Sequence, residues 1–517
     1  MVARERELSA LLSSAAIVMV GGIIGSGATL AERVVIGRLL SPDAYGEISV
    51  GLALLNVGVT VALVGCTQGV SRYIPRYDAV EDRRGVWISG LLVTTVSSVC
   101  LSAVLFLFAD PIVSGLFETE AAVPLVRLLA VAIPFVACFR IAVAGIRGHE
   151  NTIYRTLTRN LLDPLLRIGL LTVLLLSGVG IAAAGVAYLG GAIVTLVVAH
   201  AFLSRLMPLR GRYRTHVPEL LRFSAPLVVS TVISILLTRT DTLMLGYFRS
   251  SYEVGMYDAA YPIAGGLLVV LSAFGFLYLP LVSRLDDDGD RDAVDEIYAT
   301  TTKWVYVVTF PAFLLLVVFP LDVIHLVFGT AYTDAARVLP ILATGFFLSA
   351  AAGRNRETLS ALGSTTWIAV GNVVGLLLNI GINVALIPRY GAVGAAVASV
   401  TSLVAVHTVI CSVLAVRYDI TPISPEALRC YVALPAVLLP LAFALSPWLS
   451  ITVVTIGPVL VGVGLASLVV AGLVGGLESN DVVVLDLLED AAGVSVPMLR
   501  RWIPSSGDED LDAKSPN

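Results

Sequence analysis

Leu236-Leu-Thr-Arg239-Thr-Asp241-Thr-Leu-Met-Leu-Gly246-Tyr-Phe-Arg-Ser-Ser-Tyr-Glu-Val-Gly255-Met-Tyr-Asp-Ala-Ala-Tyr261 sets an arginine and an aspartate inside a run that otherwise reads as a membrane helix. A short loop follows, and a second apolar helix begins beyond it. Two residues are about 200° apart on a helix, so Arg239 and Asp241 do not pair with each other. At least one of them needs a partner on another helix, or water in a cavity. The earlier stretch from Arg33 to Gly46 looks like a counterpart, because Gly37 and Gly46 repeat the spacing of Gly246 and Gly255.

The surrounding chain is 517 residues long, 57% hydrophobic and 14% charged, with a mean hydropathy of +0.91. A soluble domain carries about 25% charged residues. Fourteen runs are long enough to span a bilayer: 12–32, 46–66, 86–108, 122–142, 157–178, 181–203, 223–246, 259–281, 302–320, 333–352, 366–387, 392–415, 430–447 and 451–475. They are continuous and do not alternate, which reads as helices and not as a β-barrel. The fold class is an all-α polytopic membrane protein of about 14 transmembrane helices. The first run lacks a convincing cleavage site and reads as a retained span. The net charge of −5 lies in tails and loops and gives no nucleic-acid footprint. Lys303 and Lys514 are the only lysines, which fits either a high-salt organism or a GC-rich genome. The five cysteines fall in or beside apolar runs without metal-ligand spacing and read as small buried residues, with no disulfide implied.

With the N-terminus in the cytoplasm, 25 of the 33 lysines and arginines fall on the inner side and only Arg38, Arg249 and Arg389 in outer loops. Both termini are therefore expected in the cytoplasm. A weak internal repeat runs at an offset of about 211 residues: Ser71-Arg72 matches Ser283-Arg284, Asn160 matches Asn372, and Gly180-Ile-Ala-Ala-Ala-Gly matches Gly391-Ala-Val-Gly-Ala-Ala. Each repeat holds six helices, an even number, so the halves run in the same direction and are expected to be related by a pseudo-two-fold along the membrane normal. The predicted layout is a six-helix bundle at 1–203, a cytoplasmic linker at 204–222, a second six-helix bundle at 223–416, a terminal pair, helices 13 and 14, at 417–475, and a cytoplasmic acidic tail at 476–517. Val482 to Trp502 reads as an amphipathic segment on the inner surface, with an acidic disordered end from Ser505.

Arg38-Leu-Leu-Ser-Pro42-Asp-Ala-Tyr45-Gly46, Leu63-Val-Gly65 and Ser71-Arg72-Tyr73 resemble the opening of the polysaccharide-type flippases, a branch of the multidrug/oligosaccharidyl-lipid/polysaccharide exporter superfamily. Phe223-Ser-Ala-Pro226-Leu, the Arg239 to Tyr257 stretch, and Asn379-x-x-x-Asn383-x-x-Leu-Ile-Pro388-x-Tyr-Gly391-x-x-Gly394 extend the resemblance over roughly residues 8–415. The resemblance implies fourteen helices in two six-helix bundles plus a terminal pair. It also implies translocation of a polyprenyl-linked sugar from the cytoplasmic to the outer leaflet of the cell membrane, in surface polysaccharide synthesis or protein glycosylation.

Such a substrate has an anionic head group, and arginine forks suit phosphate oxygens. The candidate substrate-cavity residues are Arg33, Arg239, Asp241, Glu32, Arg167, Asn379 and Asn383. Each also has a structural reading. Arg239 and Asp241 can serve an interhelical salt bridge, and Arg33 can snorkel to the outer surface. Asp163 and Arg167 are spaced i, i+4 and read as a pair on one face. Pro164 marks a helix start or a break there, and Asn160 with Asp163 is a candidate ion-coupling site. Asn372, Asn379 and Asn383 form one stripe that either lines the cavity or bonds neighbouring helices. Arg127 and Arg337 read as snorkelling. No catalytic constellation, metal spacing or nucleotide-binding loop is present, so the reading is of a transporter without cofactor. Membrane lipids and glycosyltransferases are the expected partners. A cation-coupled drug or metabolite antiporter of the same superfamily is the alternative, and it predicts carboxylates dominating the cavity. A membrane polymerase or ligase would need a large catalytic outer loop, whereas the outer loops are short.

Overall fold

The structure, a computed structural model, describes residues 21–22, 24–273, 275–478 and 481. The segment at 482–502 and the acidic end lie outside the described residues, as does most of the first span. Every regular element described is helical. In order these are α1 (24–39), α2 (Pro42–Ala62), α3 (Cys66–Tyr73), α4 (Val80–Leu107), α5 (Ala109–Leu116), α6 (Val123–Gly148), α7 (Thr152–Thr156), α8 (Asp163–Leu176), α9 (Ala182–Leu206), α10 (Val217–Phe248), α11 (Ser251–Gly265), α12 (Leu268–Ala273), α13 (Gly275–Asp287), α14 (Arg291–Val318), α15 (Pro320–Val327), α16 (Ala335–Ala351), α17 (Asn355–Ala361), α18 (Thr365–Tyr418), α19 (Pro425–Leu445) and α20 (Ile456–Leu473).

Ten of the described helices are long and apolar enough to cross a membrane. Two expected spans are interrupted. The first, expected at 157–178, begins with a π-helical turn, Leu157–Leu162, between α7 and α8. Pro164 explains the interruption: it lacks the N–H that would bond Asn160, and its ring crowds that carbonyl. The second, expected at 259–281, is divided among α11, α12 and α13. Conversely, the expected spans 366–387 and 392–415 are continuous in α18 apart from Gly391, whose φ of 55° and ψ of −132° break the helix. Glu253 accepts a hydrogen bond from Ala392 N at 2.7 Å across this kink.

The chain packs as two compact units. The first comprises 1–262, 328–332 and 376–398, the second 263–327, 333–375 and 399–517. In the first, α6 packs on α4 and α9, α2 on α6 and α10, and α8 on α9. Ser41 caps α2, accepting from Ala44 N at 3.4 Å, and Pro42 fills the first helical position. The 204–222 segment is strapped to the start of α4. Arg84 donates to the carbonyls of Pro208 and Arg212, and His216 sits between Asp82 at 3.2 Å and Glu219 at 3.3 Å. Burial and the Glu219 carboxylate push the Tyr77 hydroxyl up to about 12, so it stays protonated and donates to Glu219 at 2.7 Å.

The second unit is centred on α14, which packs on α16, α19 and α20. Phe313 stacks on Phe347 at 4.2 Å, and Tyr306 meets Phe347 at 4.7 Å and Tyr431 at 4.6 Å. Lys303, one of the cations counted on the inner side, is buried in α14 and not in a loop. Its ammonium bonds Asp481 at 2.7 Å and Glu478 at 3.2 Å, and Trp304 Nε1 donates to Asp481 at 2.7 Å. A buried lysine demands such partners.

Within the first unit, the two repeated glycine stretches touch each other. A Cβ at Gly46 would lie 1.8 Å from Ser251 O, and a Cβ at Gly255 would lie 2.3 Å from Pro42 O. Residue 251 stands to 255 as residue 42 stands to 46, at the same offset along the chain. The contact is therefore reciprocal. Both obstacles are backbone atoms, which no rotamer change can move. Gly46→Ala and Gly255→Ala are each expected to cost about 1–3 kcal/mol or more, read as a lowered Tm of the purified protein. Gly115→Ala, with nothing within 4 Å, should leave the Tm unchanged or slightly raised.

Candidate functional site

Three groups of charged and polar side chains lie inside the first unit. In the first group Glu32, on α1, is 2% exposed. Its carboxylate meets Arg167 at 3.3 Å, and Arg167 also reaches Asp163, four residues earlier on α8, at 3.6 Å. The guanidinium lies over the Tyr188 ring, 4.7 Å from its centroid. In the second group Arg33 donates to Ser49 at 3.1 Å and to Asp258 at 3.3 Å. Thr242 donates to the other Asp258 oxygen at 3.0 Å, and Tyr45 donates to the Asp258 carbonyl at 3.1 Å. In the third group Asp241, 1% exposed, accepts from Tyr257 at 2.9 Å, Asn379 at 2.9 Å and Asn383 at 2.6 Å.

Two of these groups occupy matching positions of the repeat. Glu32 corresponds to Asp241 and Arg167 to Asn379, at offsets of 209 and 212. At these positions α1 and α10 each carry a buried carboxylate, held by a donor from α8 and α18 respectively. The donor is a cation in one half and a neutral amide in the other. Ser49 corresponds to Asp258 and Arg33 to Thr242 in the same way, at an offset of 209, so the Arg33 group joins positions that match along the sequence.

A cavity of about 530 Å³ is lined by Asp163, Arg167 and Tyr188 of the first group and by none of the residues named in the other two. Its wall includes Arg140 and Arg147 of α6, Arg155 of α7, Arg159 of the π-turn, and Asp163 and Arg167 of α8. Five arginines face one carboxylate. Asn56, Thr60, Gln68 and Thr231 supply neutral polar groups. The π-turn explains how the 155–167 series reaches one wall. Twelve residues of α-helix turn through about 1200°, which would leave Arg155 about 120° away from Arg167. A π-turn absorbs one residue without advancing the face, so the offset falls to about 20°.

The structure thus brings Glu32, Arg167 and Asp163 together, and Asp241, Asn379 and Asn383 together. Arg33 is engaged with Asp258 inside the protein instead of reaching a surface. Arg239 has a buried Nε without a hydrogen-bond partner among the described residues. Asn160 faces Gly25 of α1 and is not among the cavity-lining residues beside Asp163. Asn372 belongs to the second unit, where it accepts from Arg356 at 2.7 Å. The positive-inside count puts Arg140, Arg147, Arg155 and Arg159 in an inner loop region, whereas they line the cavity. The signal was present: Arg155, Arg159, Asp163 and Arg167 recur every four residues, and Arg140 and Arg147 lie seven apart.

Many membrane helices around an arginine-rich cavity define a polytopic membrane transporter. The chain belongs to the polysaccharide biosynthesis protein family, which it matches over residues 11–286; residues 226–385 also match the MatE family. It is 25% identical over 394 residues to the probable low-salt glycan biosynthesis flippase Agl15 of Haloferax volcanii, covering 76% of this chain and 80% of that one. Its fold is similar to that of the lipid II flippase MurJ in an inward closed conformation, with a TM-score of 0.71 and 13% identity over 87% of this chain and 97% of that one. An inward-facing multidrug resistance MATE family transporter of the MOP superfamily matches at a TM-score of 0.62 and 14% identity, over 74% of this chain and 92% of that one.

Removing Arg167 strands Glu32. Arg167→Ala is expected to destabilise the protein by about 3–5 kcal/mol, the usual cost of breaking a buried pair from one side. The double variant Arg167→Ala with Glu32→Gln should recover a large part of that loss. Thermal melts of the two single variants and the double variant check the coupling.

Proposed function

We propose that this chain flips a lipid-linked oligosaccharide across the cell membrane, for assembly of a surface polysaccharide or for protein glycosylation. The observation that carries the reading is the cavity, in which arginines outnumber carboxylates five to one. A polyprenyl phosphate or pyrophosphate head group is anionic and highly polar, and arginine binds its oxygens through paired N–H donors. A cationic drug or metabolite would meet repulsion at the same wall, which disfavours the antiporter alternative. Membership of the polysaccharide biosynthesis family and similarity to Agl15 support the same reading.

The protein works by alternating access of two six-helix halves, 1–203 and 223–416, related by a pseudo-two-fold along the membrane normal. The linker at 204–222 joins them, the terminal pair spans 417–475, and both termini lie in the cytoplasm. It carries out no bond chemistry. Glycosyltransferases that build the glycan on the inner leaflet supply its substrate. Arg239, with its unpartnered buried Nε, is a head-group ligand although it stands outside the cavity lining; Glu32 holds Arg167 in that wall, and Arg33, Asp241, Asn379 and Asn383 join helices elsewhere in the first unit.

Proteoliposomes loaded with a fluorescent lipid-linked oligosaccharide test this. The wild-type chain should move the label between leaflets faster than protein-free vesicles do. Arg239→Ala should slow that movement by about tenfold or more with unchanged yield of folded protein. A wild-type rate equal to that of empty vesicles would overturn the flippase reading, and full activity in Arg239→Ala would remove Arg239 from the site.

A further inference from the structure

The 204–222 linker lies against the start of α4 along much of its length. Arg84 donates to the carbonyls of Pro208 and Arg212, and Arg214 N donates to Glu81 O at 3.3 Å. A Cβ at Gly85 would lie 1.7 Å from Arg214 O, so the two backbones touch. His216 ends this strap. Its backbone N–H donates to the buried Ser89 hydroxyl at 2.9 Å, and both of its ring nitrogens face oxygens. Nε2 lies 3.2 Å from Asp82 Oδ1, in the first turn of α4. Nδ1 lies 3.3 Å from Glu219 Oε2, in the first turn of α10, and 3.2 Å from the Tyr77 oxygen. The Tyr77 ring stacks on the imidazole with centroids 4.6 Å apart. Its hydroxyl proton goes to Glu219 at 2.7 Å and so does not serve Nδ1.

A neutral imidazole has one N–H and one lone pair. In this setting the lone pair faces an acceptor oxygen in either tautomer. The imidazolium donates from both nitrogens and meets both carboxylates. The surrounding charge favours the same form. Asp82, Glu219 and Glu81 are set against Arg214, which lies 3.6 Å from Asp82 and 4.0 Å from Glu81, while Arg83 is turned to the Tyr77 carbonyl. We infer that His216 is a proton-operated clasp: protonated, it fastens the linker and the start of α10 to the start of α4, and neutral, it lets the linker lift. Histidine changes charge between about pH 5 and 8, where free carboxylates stay ionised. The clasped form binds the proton, so the clasp is closed in acid and loosens as the pH rises through the titration of the ring. The consequence for transport rests on the flippase reading above, in which the linker is cytoplasmic and α4 and α10 belong to different halves. A closed clasp then resists their separation at this end, and an acidic cytoplasm slows flipping.

Amide hydrogen exchange of the full chain in proteoliposomes tests the clasp, read as protection factors so that the intrinsic pH dependence of exchange drops out. Protection of residues 213–220 in the wild-type chain is expected to fall about tenfold between about pH 5.5 and about pH 8, the effect of losing one hydrogen bond to a charged group. His216→Gln and His216→Arg, which do not titrate in this range, should each give protection that is flat with pH. Asp82→Asn, which keeps His216 but removes the charge facing Nε2, should flatten the wild-type slope. A slope in His216→Gln equal to that of the wild type overturns the clasp. The same proteins then flip a fluorescent lipid-linked oligosaccharide with the linker-side compartment at about pH 6 or about pH 8. The wild-type chain should be about threefold or more slower at the lower pH, and His216→Gln should run at similar rates at both. Identical pH profiles in the two proteins overturn the control of transport. If no chain flips the lipid at either pH, the flippase reading falls, while the exchange measurement still decides whether the clasp exists.

Discussion

Ionised side chains held among apolar helices must be satisfied inside the protein, and the charged groups of the first unit follow from this requirement. Glu32 and Asp241 are both almost fully buried, on the first helix of their respective repeats. Neither can be left bare, since an unpaired buried charge costs several kcal/mol. The chain meets the demand in two ways. Glu32 is answered by a full opposite charge, Arg167. Asp241 is answered by neutral donors, Tyr257, Asn379 and Asn383. One repeat therefore hides its carboxylate in a neutral pair. The other holds its carboxylate with a phenol hydroxyl and two amides.

That difference places the cavity's positive charge. Arg167 spends its charge on Glu32 and Asp163, so the cationic character of the wall comes from arginines beyond it on the same stripe and from α6 opposite. The stripe exists because Pro164 disrupts the helix one turn after Asn160 and the backbone answers with a π-turn. A residue that looks like a helix breaker thus sets the register of a cavity wall.

Most of the helical framework was legible in the sequence because apolar runs of bilayer length have few other readings. The ten long apolar helices all coincide with expected spans. The interruptions were less legible. Pro164 signalled a break, but whether a proline kinks, ends or π-expands a helix depends on tertiary neighbours. The site was half legible. The pairing of Asp163 with Arg167 follows from i, i+4 spacing, and the asparagine stripe follows from i, i+4 between Asn379 and Asn383. The partner of Glu32 lies 135 residues away, and no local pattern reveals it. Arg140 to Arg159 were missed because the positive-inside count treats every arginine near a span end as solvent-facing, although long side chains at such positions also reach into a cavity between helices.

The reciprocal seat of Gly46 and Gly255 bears on how such a protein can move. Each glycine lies against the backbone of the other stretch at the equivalent position, and Arg33 joins Asp258 nearby. Backbone packed on backbone has no side chain to absorb partial displacement, and close-packed interfaces shift between discrete arrangements instead of deforming continuously. The ion pair behaves differently, because Arg33 keeps Ser49, and Asp258 keeps Thr242, when the two separate. Each charge retains a hydrogen bond to a residue of its own stretch. The contact that sets the geometry is thus all-or-none, while the contact that adds charge attraction can be broken without leaving either partner bare. Two stretches joined in this way can part and re-seat in the same register.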